Sequence, residues 1–302
     1  MKSNYSVKRV TLSNYQTTTY FEWTAGPRKI LLVHGFPETP HIWEEMAQLL
    51  VHEGYTVIAP YLLGYEKEQQ YDHVITLQEL ADWLNAFADA IVSESGEKIF
   101  LVGHDFGAAA AYAALLNPNH RFSHYVALAI PPLRSFLMTF ITHPIIASRR
   151  KYILKFCLPF GMGKKRITKH NFSKLKRLMM KWCEGAEQST AYFRSDLAYE
   201  RLPDLDGPLA LYRGILPNIS KFNSWRKQFG LAFTTLTTPT SIFVGADETT
   251  YPKDIFKDYR SQYDPLTPCS LHVVPNCGHF IPLDAPEFVV LHIVEMLGWK
   301  EG

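Results

Sequence analysis

The chain has 302 residues, of which 47% are apolar and 20% charged, and its net charge at neutral pH is +2. This composition predicts a globular protein with a sizeable core and argues against a disordered or disulfide-stabilised chain. No apolar run reaches the roughly 18 residues of a membrane-spanning helix, and the first residues lack the apolar stretch of a signal peptide. We therefore expect a soluble, cytoplasmic protein.

Short β-branched runs alternate with amphipathic segments over the first 130 residues. Residues 76–92 predict a helix that begins at Thr76, where Glu79 completes a capping box. Alternating strands and helices indicate an α/β fold with a mostly parallel sheet covered on both faces. The predicted strands of this half are 29–35, 55–61, 98–104 and 123–130.

The alternation stops at Pro131-Pro132 and resumes near residue 240. We expect residues 1–131 and 236–302 to form the core domain, with a helical cap (lid) domain, residues 132–235, inserted between two strands. The remaining predicted elements are strands at 240–248 and 270–279 and helices near 252–263 and at 284–297.

Basic charge is concentrated in one part of the chain, with fourteen Lys or Arg and no Asp or Glu from Phe106 to Cys183. Such a run is commonly a solvated face, but it also fits a surface that attracts anionic substrates or lipid headgroups. Peripheral contact of the basic cap with an anionic membrane is therefore an expectation. Nothing else in the chain is typical of a nucleic-acid module, so we expect no nucleic-acid partner.

Asp105 occupies a corner between a predicted strand and a helix, in the stretch Gly103-His-Asp-Phe-Gly107. The spacing is that of a nucleophile elbow, G-x-S-x-G, with Asp in the position of the serine. The flanking glycines allow the tight turn, and the helix N-terminus favours an ionised carboxylate. Asp105 is therefore the candidate nucleophile.

Asp247 and His279 each follow a predicted strand, so the order of nucleophile, acid and base matches that of hydrolases. We expect Asp247 to orient His279, because Asp247 ends its strand more directly than Glu248, which is the alternative acid. The carboxyl ends of parallel strands meet at one edge of a sheet, which would bring these side chains together.

The turn His34-Gly-Phe-Pro37 follows the first long strand at the same predicted edge. The backbone amides of Phe36 and Phe106 can converge there on one oxygen as an oxyanion hole. We expect His34, Pro37 and Trp43, in or near this turn, to contact the substrate.

An aspartate in the position of the nucleophile determines which kind of substrate can react. A carboxylate attacks a saturated electrophilic carbon, such as that of an epoxide or an alkyl halide, and forms an ester on the enzyme. A histidine can then activate water to cleave this ester.

The motifs HGFPE, GHDFG, GADE and NCGHF together resemble the α/β-hydrolase-fold epoxide hydrolases and their haloalkane dehalogenase relatives, over about residues 29–298. This resemblance implies an α/β-hydrolase fold and an epoxide hydrolase, acting on ether bonds, that needs no cofactor or metal and converts a lipophilic epoxide to a vicinal diol. It also implies two cap tyrosines that hold and protonate the epoxide oxygen, which Tyr152 and Tyr212 resemble.

Two other functions stay open. A haloalkane dehalogenase would use the same aspartate, although Phe106 stands where such enzymes place a halide-binding tryptophan. A lipid-binding or membrane-surface protein on a hydrolase scaffold would use the basic cap, but it would not need the complete triad.

Overall fold

The computed structural model describes residues 4–13, 16–66, 73–92, 96–142, 151–158, 161–183, 186–215, 230–251 and 253–298. It contains one eight-stranded sheet, with strand order β1-β2-β4-β3-β5-β6-β7-β8. The first two strands are antiparallel to their neighbours, and β4, β3, β5, β6, β7 and β8 pair in parallel. The strands are β1 Ser6–Thr11, β2 Thr17–Trp23, β3 Lys29–Val33, β4 Thr56–Pro60, β5 Ile99–His104, β6 Phe122–Leu128, β7 Thr240–Gly245 and β8 Cys269–Val274.

Helices pack around this sheet and follow most of its strands. They are α1 Glu44–His52, α2 Leu77–Ile91, α3 Phe106–Ala114, α4 Leu133–Thr142, α5 Lys151–Phe156, α6 Met162–Trp182, α7 Glu187–Arg194, α8 Leu197–Glu200, α9 Asp206–Ile215, α10 Ile281–Asp284 and α11 Pro286–Met296. The described elements between β6 and β7, from α4 to α9, are all helical. The predicted α/β fold with a mostly parallel sheet is confirmed.

The centre of the sheet is the core of the molecule. All residues of β4 and β5 are buried, and β3 is buried from Ile30 to Val33, because helices cover both faces of these strands. The capping box of α2 is present, with reciprocal hydrogen bonds between Thr76 and Glu79.

Two parts of the prediction differ from the structure. Strands β1 and β2 were not predicted, because β1 is a mostly exposed edge strand whose polar sequence lacks an apolar run. The helix expected near 252–263 is instead two short 3-10 helices, Lys253–Phe256 and Tyr259–Gln262. No helix in the described ranges is long and apolar enough to cross a membrane.

Candidate active site

Asp105 lies at the junction of β5 and α3 in a strained backbone conformation. Its φ is 49° and its ψ is −118°, outside the regions that L-residues ordinarily adopt. A Cβ at Gly107 would lie only 2.1 Å from the carbonyl oxygen of Val33, so this position requires glycine. The turn therefore lifts the Asp105 side chain beyond the end of the strand, as the elbow pattern predicts, and the carboxylate does not cap α3.

Asp105 is buried, with 8% of the residue exposed, and the backbone holds one oxygen of its carboxylate. The Phe36 N–H donates a hydrogen bond to Oδ1 at 3.0 Å. The Phe106 amide lies on the same side, next to Gly35. A Cβ built on Gly35 would be 2.6 Å from Asp105 Oδ1 and 2.8 Å from Phe106 N, so both atoms border the same point. The two predicted oxyanion-hole amides thus lie beside the carboxylate, and of these two only Phe36 is hydrogen-bonded to it.

His279 is fully buried between two carboxylates. Its Nε2 is 3.5 Å from Asp105 Oδ2, a charge–charge contact longer than an ordinary hydrogen bond. Its Nδ1 donates to Glu248 Oε2 at 2.9 Å. The expected partner, Asp247, does not make this contact, so the geometric assignment of the acid passes to the alternative, Glu248.

The turn after β7 explains this correction. Asp247 directs its side chain to solvent while its N–H donates to the Cys277 carbonyl, whereas the next side chain, Glu248, points inward and is buried. Thr250 then holds Glu248, since its N–H and hydroxyl both donate to Glu248 Oε1. The prediction of Asp247 took the first acidic residue after the strand. It did not account for the turn, which directs the next residue, Glu248, towards His279.

Asp105, Glu248 and His279 shift one another's pKa values. Burial alone would lower the pKa of His279, but the carboxylates of Glu248 and Asp105 outweigh burial and raise it to about 10. Burial raises the pKa of Asp105 and of Glu248, yet the interactions with His279 hold both values below the ordinary ones. The resting site is therefore an imidazolium between two carboxylates.

A second buried pair supports the site from behind and was not assigned from the sequence. His104 Nε2 donates to the His279 carbonyl oxygen at 2.9 Å, and His104 Nδ1 lies 2.8 Å from Glu38 Oε1. The other Glu38 oxygen accepts the Gly35 N–H at 3.0 Å. Both residues belong to the quoted motifs GHDFG and HGFPE, but their spacing alone does not show that they pair.

Tyr152 and Tyr212 lie close together and line the same cavity as Asp105. Their ring centroids are 6.2 Å apart, and the Tyr212 ring packs edge-on against Phe36 and Phe106, each at 4.9 Å. Burial and the neighbouring Tyr152 and Asp105 raise the pKa of Tyr212 well above its usual value. Its hydroxyl therefore stays protonated at neutral pH.

These groups open into an apolar cavity of about 160 Å³. Its polar side chains are Asp105 and the tyrosines at 152, 212 and 251, and most of the rest are hydrocarbon. Helices on the cap side and helix α2 build its walls. Representative wall residues are Ile75, Leu80, Leu133, Phe136, Leu137 and Leu211.

The three expected substrate contacts, His34, Pro37 and Trp43, do not line this cavity. His34 is buried, its Nδ1 donates to the Gly35 carbonyl, and its Nε2 accepts the Leu62 N–H at 3.0 Å. Burial lowers the pKa of His34 to about 4, so it is a neutral structural histidine. Pro37 is buried in the turn and Trp43 is wholly enclosed in the core, so the expectation is wrong for all three.

No group of three or more His, Cys, Asp or Glu residues in the described part of the chain could hold a metal ion. The reactive side chains at the site are those of Asp105, the Glu248–His279 pair and the two tyrosines.

The chain is similar to known proteins in sequence. Residues 30–291 match the model of an alpha/beta hydrolase family. The chain is 35% identical to an epoxide hydrolase from Caballeronia sordidicola over 117 residues, which are 36% of this chain and 33% of that protein. It is 25% identical to epoxide hydrolase 3 from Mus musculus over 263 residues, covering 85% of this chain and 67% of that protein.

Solved structures are similar over almost the whole chain. An epoxide hydrolase from Vigna radiata superposes with a TM-score of 0.75 at 20% identity, covering 97% of this chain and 98% of that one. The identity is low, so this likeness establishes the fold. The chain spans about a third of the length of the bacterial epoxide hydrolases that it matches in sequence. With its family model matched from the first parallel strand to the last helix, the chain belongs to the alpha/beta hydrolase family.

Proposed function

We propose that this protein is an epoxide hydrolase that converts a lipophilic epoxide to a vicinal diol. One observation carries the proposal: the carboxylate of Asp105 faces an apolar cavity that Tyr152 and Tyr212 line beside it. A nucleophile and two weak acids at one end of a hydrocarbon pocket fit an electrophile that is opened by attack at carbon and protonation at oxygen. The similarity to proteins named epoxide hydrolases supports the same substrate class.

In the first step, Asp105 attacks an epoxide carbon. Its Oδ1 is held by the Phe36 amide, which leaves Oδ2 to form the new C–O bond. The epoxide C–O bond breaks, its electron pair goes to the epoxide oxygen, and Tyr212, with Tyr152, supplies the proton. The product is an ester between Asp105 and a hydroxyalkyl group.

The second step hydrolyses this ester. Esterification removes the negative charge of Asp105, one of the two groups that raise the pKa of His279. The pKa of His279 therefore falls after the first step, and His279 returns a proton to the tyrosinate. The neutral imidazole, oriented by Glu248, then removes a proton from water. The water oxygen bonds to the carboxyl carbon, and the Phe36 and Phe106 amides stabilise the resulting oxyanion. The ester bond between the carboxyl carbon and the hydroxyalkyl oxygen breaks, this oxygen takes the proton from His279, and the diol leaves. The Asp105 carboxyl group then gives its proton to His279, which restores the resting site.

The runner-up is haloalkane dehalogenation with the same nucleophile. A departing halide needs N–H donors, and Phe106 offers only its backbone amide, so the tyrosine pair favours the epoxide. We further propose that residues 132–235 act as the cap over this site, that no cofactor takes part, and that the basic charge of the cap contacts an anionic membrane.

The test is a His279→Gln variant mixed with a panel of apolar epoxides. The ester should accumulate, because its hydrolysis lacks a base, and intact-protein mass should rise by the mass of the epoxide. Peptide mapping should place the added mass on Asp105. The double variant Asp105→Ala/His279→Gln is the control and should stay unmodified.

Diol formation by Asp105→Ala at the wild-type rate would reject the nucleophile. Release of bromide from bromoalkanes by the wild type, without turnover of any epoxide, would favour the dehalogenase instead.

A further inference from the structure

The outer side of helix α6 is an exposed basic face. In its second half Lys174, Arg177 and Lys181 are all exposed, at the i, i+3, i+7 spacing that places residues on one side of a helix. The buried residues of this half are Leu175, Met179 and Trp182.

None of the described acidic residues pairs with this face. Lys176, beside it, is paired with Asp196. Lys174, Arg177 and Lys181 form no ion pair with the residues that the structure describes. Their charge is therefore directed at solvent.

The first half of α6 also has exposed basic residues. It is separated from the second by a bend, at which His170, Asn171 and Phe172 have positive φ. Its exposed basic residues are Lys165, Arg166 and Lys169.

Exposed aliphatic side chains accompany the charge. Leu154 on α5 is 61% exposed and Met162 at the start of α6 is 46% exposed. On the opposite side of α5, Tyr152 and Ile153 line the apolar cavity. Helix α5 thus has one side in the cavity and an exposed side that carries Leu154 and Lys155.

The inner end of α6 contacts the catalytic loops. The Trp182 carbonyl accepts the His279 N–H at 3.1 Å, and the Lys181 carbonyl accepts the Thr249 hydroxyl at 2.9 Å. The Trp182 ring also lies 5.3 Å from the His279 ring. The basic face is therefore carried by the helix that fixes the base.

We propose that the outer face of α6, formed in its second half by Lys174, Arg177 and Lys181, docks on an anionic lipid surface. Unpaired basic residues are attracted to anionic headgroups, and exposed aliphatic side chains such as Leu154 and Met162 insert at the acyl boundary. Single-stranded nucleic acids instead require exposed aromatic side chains for stacking, and these two residues are aliphatic. Docking there brings the cavity next to the phase in which a lipophilic epoxide concentrates.

The test is vesicle co-sedimentation with two charge-matched double variants. The face variant, Lys174→Gln/Arg177→Gln, removes two charges from the basic face. The edge variant, Arg28→Gln/Lys98→Gln, removes two exposed charges just before β3 and β5, at the amino ends of these strands and away from Asp105. The wild type should bind phosphatidylcholine vesicles containing about 30% phosphatidylserine at low salt, and high salt should release it. The face variant should bind about thirtyfold more weakly, the change expected from two basic residues near the surface, while the edge variant binds like the wild type.

Three outcomes would overturn the proposal: no binding of the wild type to anionic vesicles at low salt, equal loss of binding in both variants, or retention on an RNA oligonucleotide but not on vesicles. Vesicle binding does not depend on the chemistry of the active site, whereas the benefit for catalysis rests on the proposed function. A wild type that binds vesicles but opens no epoxide would therefore reject the function and leave the docking face intact.

Discussion

Single side chains decide the chemistry of this site, and their protonation is linked. His279 lies between Asp105 and Glu248, and both carboxylates raise its pKa. In the proposed mechanism the same residue is protonated before Asp105 reacts and acts as a base afterwards, because the charge of Asp105 disappears when the ester forms.

Replacement of Glu248 by Gln should slow hydrolysis of the ester far more than its formation. Without the carboxylate, the imidazole loses its orientation and the charge that stabilises its protonated form, and general-base catalysis contributes about 10²- to 10⁴-fold. We expect at least about a hundredfold lower turnover, with the covalent ester accumulating in single-turnover mass spectra.

The matched control is Asp247→Asn at the neighbouring exposed position. It should turn over at nearly the wild-type rate. Comparable losses in the two variants would show that Glu248 has no special role.

At the scale of elements, the start of helix α2 positions part of the cavity wall. Helix α2 starts at a capping box in which the Thr76 hydroxyl accepts the Glu79 N–H at 3.2 Å and Glu79 accepts the Thr76 N–H at 2.7 Å. Ile75 and Leu80, on either side of this cap, line the cavity. The cap thus stabilises the helix and positions two wall residues.

Thr76→Ala should lower the free energy of unfolding by about 1 kcal/mol, the usual cost of losing an N-cap side chain. In urea titrations the midpoint should fall with an unchanged slope. Gln78→Ala, an exposed change two residues on, should shift stability by less than about 0.5 kcal/mol. An unaltered midpoint for Thr76→Ala would show that the cap is dispensable.

At the scale of the whole molecule, histidines tie stability to pH. His272 on β8 and His292 on α11 pack with ring centroids 4.3 Å apart at the end of the sheet. Burial lowers the pKa of each, and the mutual repulsion adds to this for His292. The folded protein therefore binds fewer protons at these sites than the unfolded chain does.

The free energy of unfolding should consequently decrease as pH falls from about 7 to 5, through the unfolded histidine pKa of about 6.5. His279, whose pKa is raised to about 10, opposes this decrease above about pH 6.5, where it is protonated in the folded protein but largely neutral in the unfolded chain, and adds no pH dependence well below 6.5, where it is protonated in both states. Thermal unfolding at several pH values should show that His272→Gln/His292→Gln weakens this dependence. An identical dependence in the variant and the wild type would contradict it.

The sequence by itself determined most of the elements and placed Asp105, the candidate nucleophile, at a strand-to-helix corner, because these features follow from local patterns. Buried parallel strands read as β-branched runs, the capping box lies within four residues, and the Gly-x-Asp-x-Gly corner is five residues long. Strand β1 escaped detection since an exposed edge strand buries no apolar face.

Only the tertiary structure decided which carboxylate reaches His279, since the turn after β7 directs Asp247 outward and Glu248 inward. The tertiary structure also shows that His34 and Trp43 are buried in the core and do not line the cavity. It brings His104 into contact with Glu38, which lies 66 residues earlier in the chain. Such contacts depend on how distant segments pack, because the direction of a side chain beyond a strand end is set by the turn and its neighbours rather than by position in the chain.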